Sequence, residues 1–131
     1  MNSRQKESVN IIIQNSEGKY LLQMRDNTKG ICNPLKWNFF GGGLQSRDPI
    51  ANAQRELKEE LEIKTDLKDL KAVGCIPDTK VHIVRYNQVV NWSDFHLLEG
   101  AGAGYFNKEE ILAIDSTENT KLIVKQYLQG I

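Results

Sequence analysis

Three consecutive glycines, Gly41, Gly42 and Gly43, follow the aromatic run Trp37-Asn38-Phe39-Phe40 and lead through a polar loop to Asp48-Pro49. No other stretch constrains the fold as tightly. Aromatic residues favour an extended strand, glycine lets the backbone turn sharply and approach a ligand, and Asp followed by Pro suits the N-cap and first residue of a helix. The next residues, IANAQRELKEEL, are mostly strong helix formers. The pattern therefore predicts a short strand, a glycine-rich turn and a helix from residue 49 to about Leu61.

At about 100° per residue, Ile50, Ala53, Leu57 and Leu61 share one stripe of that helix, and Glu56, Glu59 and Glu60 cluster on an adjacent one. Three like charges so spaced repel one another, and a bound cation removes the penalty. Hard divalent ions take oxygen ligands, and magnesium combines few protein carboxylates with a substrate's phosphate oxygens. Taken alone, Arg55-Glu56-Leu57-Lys58-Glu59-Glu60-Leu61 favours the reading of an ordinary solvated helix face. The glycine-rich segment just before the helix and the strands on both sides favour phosphate chemistry.

With 131 residues, 40% of them hydrophobic, the chain can bury one core and divides poorly into two, so residues 1–131 read as a single domain. Seventeen basic and seventeen acidic residues leave a formal charge of zero. No general field then attracts a nucleic acid or a membrane surface. Cys32 and Cys75 are too far apart in sequence for a close-spaced metal pair and read as ordinary thiols of a reducing compartment. The polar start, with Arg4, Lys6 and Glu7, resembles no secretory signal, and no run approaches a bilayer span. The expected compartment is the cytoplasm.

Elsewhere, β-branched runs at 9–14 and 19–24 flank Asn15-Ser16-Glu17-Gly18 and predict a hairpin. Residues 26–36 read as a long loop. Strands are expected at 64–73, 81–90, 94–98 and 105–106, with a helical turn at 108–112. A final amphipathic helix, 117–128, would turn Leu122, Ile123, Tyr127 and Leu128 inward. His82 and His96 are isolated and read as structural. Ser93, Asp94 and His96 are too close on a strand, where side chains alternate faces, to form a nucleophilic relay.

The segment 41–63 resembles the Nudix box, G-x5-E-x7-R-E-U-x-E-E-x-G-U, where U is aliphatic. Arg55 to Leu61 matches the second half in register, and Ile63 fills the last aliphatic position. Two positions depart from the pattern. Counting from Gly41 places Arg47 where the first glutamate belongs, whereas counting from Gly42 reaches Asp48 at the expense of one deleted residue. Glu62 occupies the box glycine, losing the left-handed freedom glycine has at a helix C-terminus.

The resemblance implies an α/β/α sandwich around a central mixed β-sheet and a hydrolase that cleaves a nucleoside diphosphate linked to another group. It implies magnesium, with manganese as a substitute. Glu59 and Glu60 would be the main ligands, completed by a backbone carbonyl at Gly41, while Glu56 would bind metal or activate water. Arg55 would orient a neighbouring carboxylate through its guanidinium fork. Glu99, before Gly100, resembles a downstream Glu-Gly loop that supplies a further ligand or base in some members; an acid in a turn is the alternative. Trp37-Asn38-Phe39-Phe40-Gly41-Gly42 is similar to the substrate strand of oxidised-purine nucleotide hydrolases. Asn38 then reads a purine edge or, equally, satisfies backbone groups. Gly41 and Gly42 would let the backbone approach the substrate, and Arg25 would lie near the substrate mouth or simply at the surface. Trp92, Tyr86 and Tyr105 do not discriminate between stacking a base and packing. The leading function is a nucleoside triphosphate pyrophosphohydrolase, of oxidised purine nucleotides among others. A nucleotide-binding module without turnover and a sugar-nucleotide hydrolase are the alternatives, each as monomer or homodimer.

Overall fold

The computed structural model describes residues 7–25, 35–98 and 100–128. In chain order these form β1 (Ser8–Ile12), β2 (Tyr20–Met24), β3 (Trp37–Gly43), α1 (Pro49–Leu61), β4 (Leu70–Ile76), β5 (Val81–Tyr86), β6 (Gly102–Phe106), α2 (Lys108–Ala113) and α3 (Glu118–Tyr127). Single 3₁₀ turns at Leu67–Asp69 and Trp92–Asp94 punctuate the connections. The six strands run in the order β4-β5-β1-β3-β2-β6. β1 lies parallel to β5, and every other neighbouring pair is antiparallel, so the sheet is mixed.

Strand periodicity divides the core in two. Val9, Ile11, Leu21, Phe40 and Val84 meet Ala53, Leu57 and Leu61 of α1 on one face. Their sequence neighbours Ile12, Leu22, Phe39 and Ile83 meet Ile111 of α2 and Ile123, Val124 and Leu128 on the other. Both faces are covered, which explains why the central strands are almost continuously apolar. The result is the expected α/β/α sandwich. In α3, Leu122 and Tyr127 are only partly buried, while Thr120 and Val124 join Ile123 inside.

Helix α1 has the expected bounds. Asp48 caps it by accepting a 3.0 Å hydrogen bond from Ile50 N, and Pro49 is its first residue. At the other end Glu62 adopts the left-handed conformation, φ 58° and ψ 35°, and Ile63 N bonds to Leu57 O as the helix closes.

Four expectations are corrected. The 15–18 turn joins β1 and β2, but the strands meet only at its base, through the Gln14–Tyr20 bridge and the Leu21 N to Ile13 O bond. Beyond it β3 lies between them, with Phe39 and Phe40 buried on opposite faces of the sheet. The three glycines continue β3, pairing with Ser8, Val9 and Asn10, instead of forming a turn. Residues 94–98 are not a strand: His96 N and Leu98 N bond to the terminal carbonyls of α1, Leu61 O and Glu60 O. The strands expected at 64–73 and 81–90 shrink to β4 and β5, since Thr65 O accepts from Gln54 of α1, 67–69 form a 3₁₀ turn and Tyr86 is the last paired residue. Most of the 26–36 loop lies outside the described residues.

Candidate active site

Glu56 and Glu60 stand one helical turn apart on the flank of α1 and are 7% and 4% exposed. Both point at the glycine end of β3. Gly41 N donates to Glu60 Oε1 at 3.0 Å, and a Cβ on Gly42 would fall 2.3 Å from Glu56 Oε2. A side chain at residue 42 would therefore occupy the place of the carboxylate. Gly41 is constrained from the opposite side: its φ is 153° and a Cβ there would sit 1.9 Å from the Val9 carbonyl oxygen. The glycines let β1, β3 and the two carboxylates pack together.

Arg55 ties this group to its surroundings. Its Nη1 donates to Glu59 Oε1 at 3.0 Å. Its Nη2 reaches Gly43 O at 3.2 Å and Asn52 Oδ1 at 3.0 Å, and lies 3.2 Å from Glu56 Oε2. The guanidinium supplies positive charge that offsets the burial of neighbouring acids, which is costly when uncompensated. Glu59 differs from its neighbours, with its side chain 49% exposed and turned along the helix to Arg55. The apparent triplet is thus an inward pair and a rim residue, because positions 56 and 60 share a helix face and 59 lies off it.

Among the described residues, no three acidic, histidine or cysteine side chains converge into a ready-made metal cage. The donor set nevertheless fits magnesium: two adjacent carboxylates and strand backbone are hard oxygen ligands, and this ion completes its shell with water and substrate phosphate. Glu99 lies outside the described residues, though Leu98 N and Ala101 N, on either side, anchor to Glu60 O and Met24 O.

Neither candidate for the first box glutamate joins the site. The Asp48 carboxylate caps α1. Arg47 is exposed, and its charge is among those acting on Glu7, whose carboxyl is held below its ordinary value chiefly by the hydrogen bond with His82. His82 has the structural role expected of it. Asn38 is buried: its Oδ1 accepts from Thr117 Oγ1 at 2.6 Å and Thr120 Oγ1 at 2.8 Å, while its Nδ2 donates to Phe39 O. It thus braces the start of α3, apart from the carboxylates. Arg25 follows β2, its backbone paired to Leu35 and Lys36 and its side chain partly buried.

Asn52 escaped the sequence reading. It is 2% exposed, and its amide accepts from Gln45 N at 2.8 Å and from Arg55 while donating to Ser46 O, Ser46 Oγ and Asp48 O. The available signal was an Asn inside a helix, three residues before Arg55, where Asn is otherwise unfavourable.

The NUDIX domain family model matches residues 4–120, nearly the whole chain. The chain belongs to the NUDIX family. The hydrolase class expected from its box follows from that membership, and the family's members generally use divalent metal ions. Solved structures agree on the fold. A MutT of Aliivibrio salmonicida or Vibrio cholerae superposes with TM-score 0.76 at 20% identity, covering 98% of this chain and 100% of that one. A MutT protein of Methanosarcina mazei gives 0.72 at 21%, covering 97% of each. The E. coli dihydroneopterin triphosphate pyrophosphohydrolase gives 0.68 at 14%, covering 98% and 100%. No curated protein sequence matches the chain. Among the described residues, no helix is long and apolar enough to cross a membrane.

Proposed function

We propose that this Nudix hydrolase is a cytoplasmic, magnesium-dependent pyrophosphohydrolase acting on a nucleoside diphosphate linked to a further group. A nucleoside triphosphate, oxidised purine forms included, is the first candidate substrate, and manganese substitutes for magnesium. The observation carrying this reading is the pair of buried carboxylates, Glu56 and Glu60, held against the side-chain-free backbone of Gly41 and Gly42. The name of one structural neighbour, a dihydroneopterin triphosphate pyrophosphohydrolase, supports the choice of triphosphates.

In this reading Glu56, Glu59, Glu60 and the Gly41 carbonyl hold the cation, with Glu99 as a further ligand or base. When bound, the cation polarises phosphoryl oxygens and neutralises the leaving phosphate group. Gly42, whose missing side chain leaves space for the Glu56 carboxylate, brings strand backbone beside the site, and Arg25 lies towards the nucleotide. Arg55 holds Glu56 and Glu59 at fixed orientation, so their oxygens need not reorganise when charge develops on phosphorus. Glu56 is the candidate acceptor of the proton from attacking water. Contact of Asn38 with a base requires exchange of its bonds to Thr117 and Thr120.

The test is magnesium-dependent release of phosphate or pyrophosphate from a panel of nucleoside triphosphates, oxidised purine nucleotides, dinucleoside polyphosphates and nucleotide sugars. Turnover abolished by Glu60→Gln supports the reading and names the substrate group. Cleavage of nucleotide sugars alone transfers it to that class. Metal-dependent nucleotide binding without any turnover overturns it in favour of a binding module.

A further inference from the structure

The geometry points to Asn52 as a positioning residue of the hydrolytic site: its amide oxygen braces Arg55, and through Arg55 the carboxylates of Glu56 and Glu59, in a chain whose Nudix box has Arg47 in place of the first glutamate. The inference deepens the hydrolase reading and rests on it.

Asn52 is the fourth residue of α1, past the cap, where an exposed asparagine competes with the backbone and gains little. Here it is almost wholly buried and spends both ends of its amide. Arg55 and Gln45 N are donors, so the end facing them must be the oxygen; Ser46 O and Asp48 O are acceptors, so the end facing them must be the nitrogen. The amide orientation follows from its partners. On one side it clamps the β3–α1 connection to the helix. On the other it holds Nη2 of Arg55, the nitrogen that also bonds to Gly43 O and lies beside Glu56.

Because the Asn52 oxygen belongs to a neutral amide, it fixes the guanidinium without using up its charge, which remains available to Glu56 and Glu59. The two residues at the register of the first box glutamate do not provide this brace, since Arg47 is an exposed cation and the Asp48 carboxylate caps α1. Groups behind a ligand shell that orient its members set both metal affinity and turnover.

The experiment compares wild type, Asn52→Ala, Ser46→Ala, Arg55→Ala and the Asn52→Ala/Arg55→Ala double variant. Mn²⁺ affinity is read by calorimetry, and kcat and KM on the best substrate of the panel. Asn52→Ala is expected to weaken Mn²⁺ binding and to lower kcat by about 10- to 100-fold, with KM little changed. In the Arg55→Ala background the same substitution should change Mn²⁺ affinity by less than about twofold, the mark of two residues acting as one unit. Ser46→Ala removes a clamp partner but leaves Oδ1 on Arg55, so it should keep wild-type Mn²⁺ affinity. Unchanged Mn²⁺ binding in Asn52→Ala overturns the inference. So does an equal loss in the Arg55→Ala background, or a matching loss in Ser46→Ala, because each makes Asn52 a loop clamp alone. Wild type that binds Mn²⁺ with this coupling but hydrolyses nothing defeats the hydrolase reading and leaves the positioning role standing; wild type without Mn²⁺ binding defeats both.

Discussion

Two of the three consecutive glycines are fixed by different neighbours, and the third is free, so alanine substitution should separate stability from function along one strand. Gly41→Ala drives a methyl into the Val9 backbone at a φ that L-residues avoid. Neither obstacle can move cheaply, and the expected loss is about 2–4 kcal/mol of unfolding free energy in a denaturant titration. Gly42→Ala meets only the end of the flexible Glu56 side chain. The carboxylate swings aside, so stability falls little while Mn²⁺ affinity and turnover collapse. A Cβ on Gly43 meets nothing within 4 Å, and Gly43→Ala should stay within about 0.5 kcal/mol of wild type in the same titration. Tyr105 allows a pH test. Burial, reinforced by Asp94, pushes its phenol up to about 12 from 10.0, and its hydroxyl bonds to the Val90 carbonyl. A raised folded pKa favours the neutral phenol, so this contribution is complete below pH 10 and drains away between pH 10 and 12. Burial also raises Tyr20 and Tyr86, so phenolate absorbance should show one fewer late-titrating tyrosine in Tyr105→Phe than in wild type.

At the scale of elements, α1 was legible because its signals are local: Asp48 and Pro49 start it, and the apolar stripe orients it and runs out at Leu61. Glu62 is the left-handed residue where the box has glycine, a conformation costing an L-residue about 1–2 kcal/mol. Glycine forgoes that cost but loses about 0.5–1 kcal/mol of chain entropy. Glu62→Gly should therefore raise the melting temperature by a few degrees, roughly 2–5 °C, with turnover unchanged; a fall would mean the Glu62 side chain stabilises the helix end in some other way. What stayed illegible was non-local. Turn chemistry at Asn15 and Gly18 correctly located a reversal but could not show that β3 inserts between the strands it joins. Phe95-His96-Leu97-Leu98 has strand-like composition, yet its backbone donors go to the end of a helix. The candidate site followed the same division. Arg55, Glu56 and Glu60 lie at fixed spacings in one helix, whereas Asn52 gained its role from a loop that folds back on it.

For the whole molecule, packing a carboxylate pair between α1 and the sheet should couple folding to a divalent cation. Glu56 and Glu60 are withdrawn from water along with the core stripe of Ala53, Leu57 and Leu61, so part of the energy gained by burying that stripe is spent on desolvating like charges. Arg55 offsets some of it. A cation bound between folded carboxylates should offset more, and an unfolded chain lacks the arrangement that binds it. Stability should therefore rise with the logarithm of metal concentration, by about 2.7 kcal/mol at 100 times the dissociation constant. Glu60→Gln separates the two contributions. An amide at residue 60 still offers an oxygen to Gly41 N while removing a buried charge, so the metal-free variant should melt above metal-free wild type. Magnesium should then raise the melting temperature of wild type alone. Should Glu60→Gln melt lower without metal, the carboxylate would be part of the structural core, and burying the pair would need no ligand to account for it. The opposite result would mean that this fold gives up stability at α1 to keep two acids in place for a cation, the exchange expected where an active site is built into a packed interface.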